Sequence, residues 1–127
     1  DGIDTGPEFR EEDINVGPDE TGKEVEEKKM VKLDPDDFKK AISKNSGKII
    51  DVRTKREFAT GVIPGAINQD VMQKNNFLQA SLQWLKSEPV YLYCQSGMRS
   101  MKAARILSRN GFTKIYELRG GISGYDL

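Results

Sequence analysis

The residues with the clearest capacity for chemistry lie between positions 90 and 107, around the only cysteine of the chain. An apolar run rich in tyrosine ends at Cys94, a compact loop with one glycine follows, and Ala104 and Leu107 then fall at helical spacing. This pattern is typical of a buried strand, a tight turn and a helix. The turn places Cys94 near free backbone N–H groups and the positive end of the helix dipole, which favour the reactive thiolate.

Arg99 adds a fixed positive charge to the same loop. One hypothesis is that Arg99 attracts and orients an anionic substrate. The alternative is that it pairs with a carboxylate, such as Asp51 or Glu57, and holds the loop in shape. Cys94 has an alternative as well, because unpaired cysteines are often buried and inert. The glycine-containing loop around it favours the reactive interpretation.

Composition excludes several classes of mechanism. The chain has no histidine, which excludes a Cys–His pair, a Ser–His–Asp triad and a histidine-ligated metal, and we expect no metal site. A single cysteine cannot form an internal disulfide. No apolar run approaches the roughly 18 residues that span a membrane. The basic residues are scattered without interleaved aromatics, so we expect no nucleic-acid partner.

Charge divides the chain into two parts. Residues 1–29 hold eleven acidic and four basic side chains, whereas residues 30–127 carry the opposite excess, so that the formal net charge is zero. The first part has almost no apolar periodicity and is interpreted as a flexible acidic leader or linker. The second part is long enough for one domain. Because the chain starts at Asp1, we expect that an upstream segment has been removed. A single cysteine leaves the compartment open, with the cytoplasm as the default and the bacterial periplasm as the alternative.

Strand and helix patterns alternate along residues 30–127. Strands are predicted at 31–33, 48–52, just after Pro64, 90–93 and 114–118; helices are predicted from Pro35, from the capping box at 54–57, over 73–85 and from Ser100 to about Asn110. Such alternation predicts a parallel sheet with helices on both faces, whose ligand site lies at the carboxyl ends of the strands. Asp51 and Cys94 both lie at such ends.

Two stretches carry a resemblance to a known family. The first is Asp51-Val52-Arg53-Thr54-Lys55-Arg56-Glu57-Phe58-Ala59-Thr60-Gly61-Val62-Ile63-Pro64-Gly65-Ala66-Ile67-Asn68, and the second is the Cys94 loop, with Gly120-Gly121 further on. In this order and at this spacing they resemble the rhodanese family of sulfurtransferases. The similarity extends from about Val31 to Tyr125. Val62 stands where the family often has histidine and Tyr125 where it often has tryptophan; both positions are interpreted as structural.

The resemblance implies a rhodanese-like α/β fold over residues 30–127, with a five-stranded parallel sheet flanked by helices on both faces. It implies that Cys94 carries sulfur as a persulfide and that backbone amides cradle the transferred sulfur. The cradle residues are Gln95, Ser96, Gly97, Met98 and Arg99, and the supporting residues are Asp51, Arg53 and Glu57. The implied donor is a small sulfur-containing anion, the acceptor is a thiol, cyanide or a protein thiol, and no cofactor is needed. We expect a monomer.

The chemistry also follows from the loop itself. A thiolate attacks a sulfane sulfur such as the outer sulfur of thiosulfate, sulfite leaves, and a second thiophile then removes the sulfur from the cysteine. Two displacements through one covalent intermediate predict ping-pong kinetics. Because the sulfur nucleophiles and leaving groups are already anionic near neutral pH, no general base is required.

Two alternatives come from other functional classes. A cysteine phosphatase or arsenate reductase typically places five residues between cysteine and arginine, whereas four separate Cys94 from Arg99 here. The shorter loop suits a single sulfur atom better than a tetrahedral oxyanion. A non-catalytic rhodanese-like binding module would present only a surface to a partner. Retention of Cys94 argues against that module, because inactive relatives usually lose the residue.

The leader is predicted to be dispensable. Its composition buries too little apolar area to offset the entropy of ordering it, so deletion of residues 1–28 should leave the melting temperature and the turnover nearly unchanged. Thermal unfolding and a sulfurtransferase assay of the truncated and full chains check this. A large fall in melting temperature on truncation would show instead that the leader docks on the domain.

Overall fold

The computed structural model describes residues 30–44 and 46–127, and the predicted leader lies outside these ranges. Strands and helices alternate within them, as the sequence pattern indicates. In chain order the elements are β1 (Met30–Leu33), α1 (Pro35–Lys44), β2 (Lys48–Asp51), α2 (Lys55–Phe58), β3 (Ile67–Asn68), α3 (Lys74–Ser81), β4 (Val90–Tyr93), α4 (Met98–Arg109), β5 (Ile115–Leu118) and a 3-10 helix (Ile122–Gly124).

The strands form one parallel sheet in the order β1-β5-β4-β2-β3. The central strand β4 pairs with β2 on one side and β5 on the other, and all four of its residues are buried. The edge strand β3 has only two residues, as expected for a segment that follows Pro64. The predicted five-stranded parallel sheet is therefore confirmed, and its carboxyl edge holds both Asp51 and Cys94.

Each face of the sheet has its own hydrophobic core. Side chains alternate along β4, so that Val90 and Leu92 join the core under α3 and α4, whereas Tyr91 and Tyr93 join the core under α1. Helices thus cover both faces, as predicted. Cys94 belongs to the α3/α4 core.

Tyr125 has a packing role. Its ring makes an edge-to-face contact with Phe38 of α1, with 6.2 Å between the ring centroids, and burial raises the pKa of its hydroxyl. Such aromatic pairs stabilise a core beyond the area that they bury. This contact fits the structural interpretation of the position where the family often has tryptophan.

The prediction of a helix over 73–85 is wrong in length, because the observed helix α3 is shorter. It ends at Ser81, and the following N–H groups of Gln83 and Trp84 bond to carbonyls three residues back, which tightens the chain into turns. Tightening rotates Trp84 inward, where its ring packs against Phe77 and Phe112. Trp84 therefore serves core packing. By contrast Leu82 and Leu85, which follow Leu78 at helical spacing in the sequence, are 59% and 62% exposed.

No helix within residues 30–44 and 46–127 is both long and apolar enough to cross a membrane. Over the same ranges, no group of three or more cysteine, aspartate or glutamate side chains is arranged to hold a metal ion.

Candidate active site

Cys94 follows directly from the central strand and stands at the amino end of α4. Its side chain is almost fully buried, with 1% of the residue exposed. The backbone N–H groups of Gly97 and Ser100 donate to Sγ over 3.0 and 3.4 Å. The sulfur therefore lies in a pocket of amide dipoles at the positive end of a 12-residue helix, and both features favour a negative charge on it.

Gly97 allows this arrangement because of its backbone conformation. It is the N-cap of α4 and has φ of 109°, in the left-handed region that side chains with a Cβ rarely adopt. The turn brings the N–H of Gly97 back toward the sulfur. α4 starts at Met98, two residues before the predicted start at Ser100, so Met98 and Arg99 belong to the first helical turn rather than to the loop.

The segment after β5 supports the loop from behind. The N–H groups of Ile122 and Ser123 donate to the carbonyls of Cys94 and Gln95 over 2.9 and 3.2 Å. Gly121, with φ of 73°, packs directly on this loop, and a methyl group on its Cα would overlap the Gln95 carbonyl. The loop thus depends on the absence of a side chain at Gly121.

Asp51 and Arg53 form a buried ion pair beside the loop. The Arg53 Nη2 atom lies 2.8 Å from Asp51 Oδ2, and the two residues are 2% and 0% exposed. Arg53 also donates to Gln95 Oε1 over 3.0 Å and to the Gly61 carbonyl over 2.7 Å. This arginine therefore ties the end of β2 to the first loop residue after Cys94, a supporting position.

Glu57 and Arg99 form the second ion pair. Two parallel hydrogen bonds of 2.7 and 2.9 Å join the Arg99 guanidinium to the two carboxylate oxygens of Glu57. The same carboxylate completes the predicted capping box with Thr54 at the start of α2. Arg99 holds the pKa of Glu57 at about 2, so the pair is ionised at neutral pH and would be lost only as the pH falls toward that value.

The structure brings the sequence-predicted residues together at one edge of the sheet, in different roles. Gly97 contributes an N–H to Sγ, Gln95 is held by Arg53, and Ser96 is exposed. The Met98 side chain is 74% exposed. Arg99 is engaged with Glu57, which is the arrangement that the alternative hypothesis for this arginine describes.

Sequence reasoning missed Ser100 and Glu117. Ser100 supplies the second N–H to Sγ, one residue beyond the predicted cradle. Its hydroxyl lies 3.3 Å from Oε1 of the buried Glu117, which belongs to β5. A glutamate in the middle of an otherwise apolar strand was the available signal, because such side chains are rarely buried without a specific partner.

Comparison with known proteins identifies the family. Residues 34–127 match the family model described as a rhodanese-like domain. The chain belongs to the rhodanese-like domain family. The five-stranded parallel sheet, with its cysteine at the carboxyl end of the central strand, is the fold that the resemblance implied.

Two relatives and one solved structure are similar to this chain. The uncharacterized protein YqhL of Bacillus subtilis is 39% identical over 95 residues, which cover 72% of this chain and 69% of that protein. The tRNA uridine(34) hydroxylase of Pelagibacter ubique is 31% identical over 98 residues, covering 77% of this chain but only 33% of that protein. The rhodanese-like chain thus spans about a third of such a hydroxylase. The structure of the human single-domain sulfurtransferase TSTD1 aligns with a TM-score of 0.65 at 23% identity, covering 73% of this chain and 92% of that one, which is a likeness of fold.

Replacement of Gly121 is predicted to disrupt the loop. In Gly121→Ala the added methyl meets the Gln95 carbonyl and the left-handed backbone becomes strained, so we expect a loss of about 2–5 kcal/mol in the free energy of unfolding. Urea denaturation measures it. Gly124→Ala is the matched control, because nothing lies within 4 Å of an added Cβ there, and it should change stability by less than about 0.5 kcal/mol. Equal stabilities of the two variants would contradict the close packing at Gly121.

Proposed function

We propose that this chain is a sulfurtransferase that moves sulfane sulfur from an anionic donor such as thiosulfate to a thiophilic acceptor through a persulfide on Cys94. The observation that carries the proposal is the pair of backbone N–H groups, from Gly97 and Ser100, directed at Sγ at the amino end of α4. Membership of the rhodanese-like domain family supports it. The proposal concerns the reaction at Cys94 and takes no substrate from the hydroxylase relatives, of which the chain matches only a third.

The first step is a displacement at sulfur. The Cys94 thiolate attacks the outer sulfur of thiosulfate, a bond forms between Sγ and that sulfur, and the bond between the two thiosulfate sulfurs breaks. The electron pair of the broken bond leaves with sulfite. Charge and atoms balance without proton transfer, which suits a chain that has no histidine to act as a base.

The second step regenerates the thiolate. A thiol or cyanide attacks the outer sulfur of the persulfide and carries it away, and the electron pair of the sulfur–sulfur bond returns to Sγ. The sulfur bound to the protein is anionic throughout, first as the Cys94 thiolate and then as the persulfide. Amide dipoles fixed around the sulfur stabilise that charge in the same way as an oxyanion hole, and the burial of Cys94 strengthens their effect.

The two rival functions differ from this one in their products. A phosphatase would need a loop that fits a tetrahedral oxyanion, and the four-residue separation of Cys94 from Arg99 disfavours it. A binding module would need no hydrogen bonds to a cysteine sulfur. A thiosulfate:cyanide assay run beside a phosphatase assay separates the three functions, because thiocyanate, inorganic phosphate or neither product would be formed.

The decisive test is the intact mass of the protein after incubation with thiosulfate. The wild type should gain one sulfur atom, and a subsequent addition of cyanide should remove it. Cys94→Ser should gain none and should lose sulfur transfer while keeping the melting temperature, because a serine hydroxyl without a base is a poor nucleophile at neutral pH. Activity of the serine variant within tenfold of wild type would overturn the mechanism.

The role of Arg99 can be tested with two donors. Because its guanidinium is already paired with Glu57, we expect Arg99→Ala to impair a charged donor such as thiosulfate and an uncharged organic sulfane donor alike. Loss of a charged hydrogen-bond pair typically costs about 1.5–3 kcal/mol, which corresponds to roughly ten- to a hundredfold in kcat/KM if it is lost from the active loop.

Glu57 supplies the control for that experiment. The carboxylate that Arg99→Ala leaves unpaired would itself repel thiosulfate, so the double variant Arg99→Ala/Glu57→Gln is compared with the single one. If the pair acts as one unit, the second substitution adds little further loss. A loss confined to thiosulfate, with an unchanged melting temperature in the double variant, would instead assign Arg99 to substrate binding.

A further inference from the structure

Glu117 of β5 is the one buried carboxyl group at the described site without a cationic partner. It is 3% exposed, and Ser100 Oγ, at 3.3 Å from Oε1, is its polar contact among the described residues. Three charged groups face it or line the same cleft. Lys32 occupies the paired position on β1, Arg105 lies on α4, and Arg119 follows β5 but is paired with Asp34.

The hydroxyl of Ser100 links this carboxyl to the sulfur cradle. Its Oγ lies 3.1 Å from the carbonyl of Gly97 and 3.3 Å from Glu117 Oε1. Gly97 and Ser100 are also the two residues whose N–H groups donate to Cys94 Sγ. A chain of contacts therefore runs from Glu117 through Ser100 to the residue that shapes the cradle.

The protonation state of Glu117 decides whether Ser100 Oγ can form both hydrogen bonds at once. A serine hydroxyl donates only one hydrogen bond, yet Ser100 Oγ lies between two oxygen atoms. If Glu117 is ionised, the carboxylate and the Gly97 carbonyl compete for that proton. If Glu117 is neutral, its own O–H donates to Oγ and the hydroxyl is free to donate to Gly97. Only the neutral form satisfies both contacts at once.

We propose that Glu117 is a positioning residue for the cysteine loop, and that its neutral carboxyl donates to Ser100 Oγ so that the Ser100 hydroxyl holds the Gly97 carbonyl. The proposal rests on the proposed sulfurtransferase function for its kinetic consequence. Burial raises the pKa of Glu117, against the opposing effects of Lys32, Ser100 and Arg105, and so extends the pH range of the neutral form upward.

The environment of Glu117 permits this proton to exchange with solvent. The residue lines a cleft of about 180 Å³ together with Lys32, Met98 and Met101. As the pH rises through the pKa of Glu117, the carboxyl loses its proton and the Ser100 hydroxyl turns toward the carboxylate. The Gly97 carbonyl is then released, and the N–H groups that stabilise the sulfur are held less firmly.

The test compares the pH profiles of wild type and Glu117→Gln. The amide can donate to Ser100 Oγ at every pH, so the variant keeps the donor and loses the titration. The ratio of the wild-type to the variant kcat/KM removes the pH effects that the two proteins share, so a pH dependence of this ratio reports on Glu117. We expect that ratio to fall about three- to tenfold as the pH rises through the titration of Glu117, the size of one lost neutral hydrogen bond. Glu88→Gln, at the opposite end of β4, is the control, and its ratio should be flat.

Two further measurements make the outcome decisive. The rate of Cys94 alkylation by iodoacetamide is measured over the same pH range, because it reports on the sulfur even in a protein that transfers none. We expect the ratio of the wild-type to the Glu117→Gln alkylation rate to fall in the same way as the pH rises. When both proteins also carry Ser100→Ala, we expect this fall to disappear. A flat alkylation ratio overturns the role of Glu117, whatever the sulfurtransferase assay gives. A fall that persists in Ser100→Ala also overturns it, since Glu117 would then act by its charge alone.

Discussion

The site depends on one constraint: a buried central strand must pass straight into a helix, with a sulfur atom at the junction. All four residues of β4 are buried, and the pairing of β4 with β2 and β5 fixes the position of Cys94 at the carboxyl edge of the sheet. α4 starts four residues after the cysteine. The sulfur therefore meets N–H groups that lie at the start of the helix and have no partner within it. Charge stabilisation at the sulfur comes from backbone geometry that the fold already imposes.

The charged side chains around the loop are engaged with one another. Asp51 pairs with Arg53, and Glu57 pairs with Arg99. Glu57 and Arg99 lie 42 positions apart, and Arg53, held by Asp51, donates to Gln95, which is also 42 positions away from it. Both arginines therefore fix the loop relative to the sheet. Arg99 interacts electrostatically with Cys94 as well as with Glu57, so the field at the sulfur combines this partly compensated charge with the amide dipoles and the helix.

Much of the fold could be predicted from the chain alone because strands in a parallel sheet are short apolar runs between helices. The uninterrupted apolar run of β4 and the capping box at Thr54 are local signals of this kind. The end of α3 could not be predicted in this way. Leu82 and Leu85 have helical spacing, but packing of Trp84 against Phe112, 28 positions further along, determines where the helix stops. Tertiary packing overrides local periodicity there.

The limits of sequence reasoning at the site have the same origin. The position of Cys94 follows from a contiguous motif. The partner of Arg99 lies 42 residues away, and the sequence alone does not distinguish Glu57 from Asp51 as that partner. Glu117 is the extreme case, since a strand pattern alone cannot tell whether a single acidic residue faces solvent or the core. Only the register that sets Glu117 beside Leu92 on one side and Lys32 on the other shows it buried behind the cysteine loop. A carboxyl group retained there, without an ion pair among the described residues, is costly unless its protonated form has a partner. The Ser100 hydroxyl is that partner. Because the same hydroxyl also bonds to the Gly97 carbonyl, the protonation of Glu117 is coupled to the conformation of the loop that holds the sulfur.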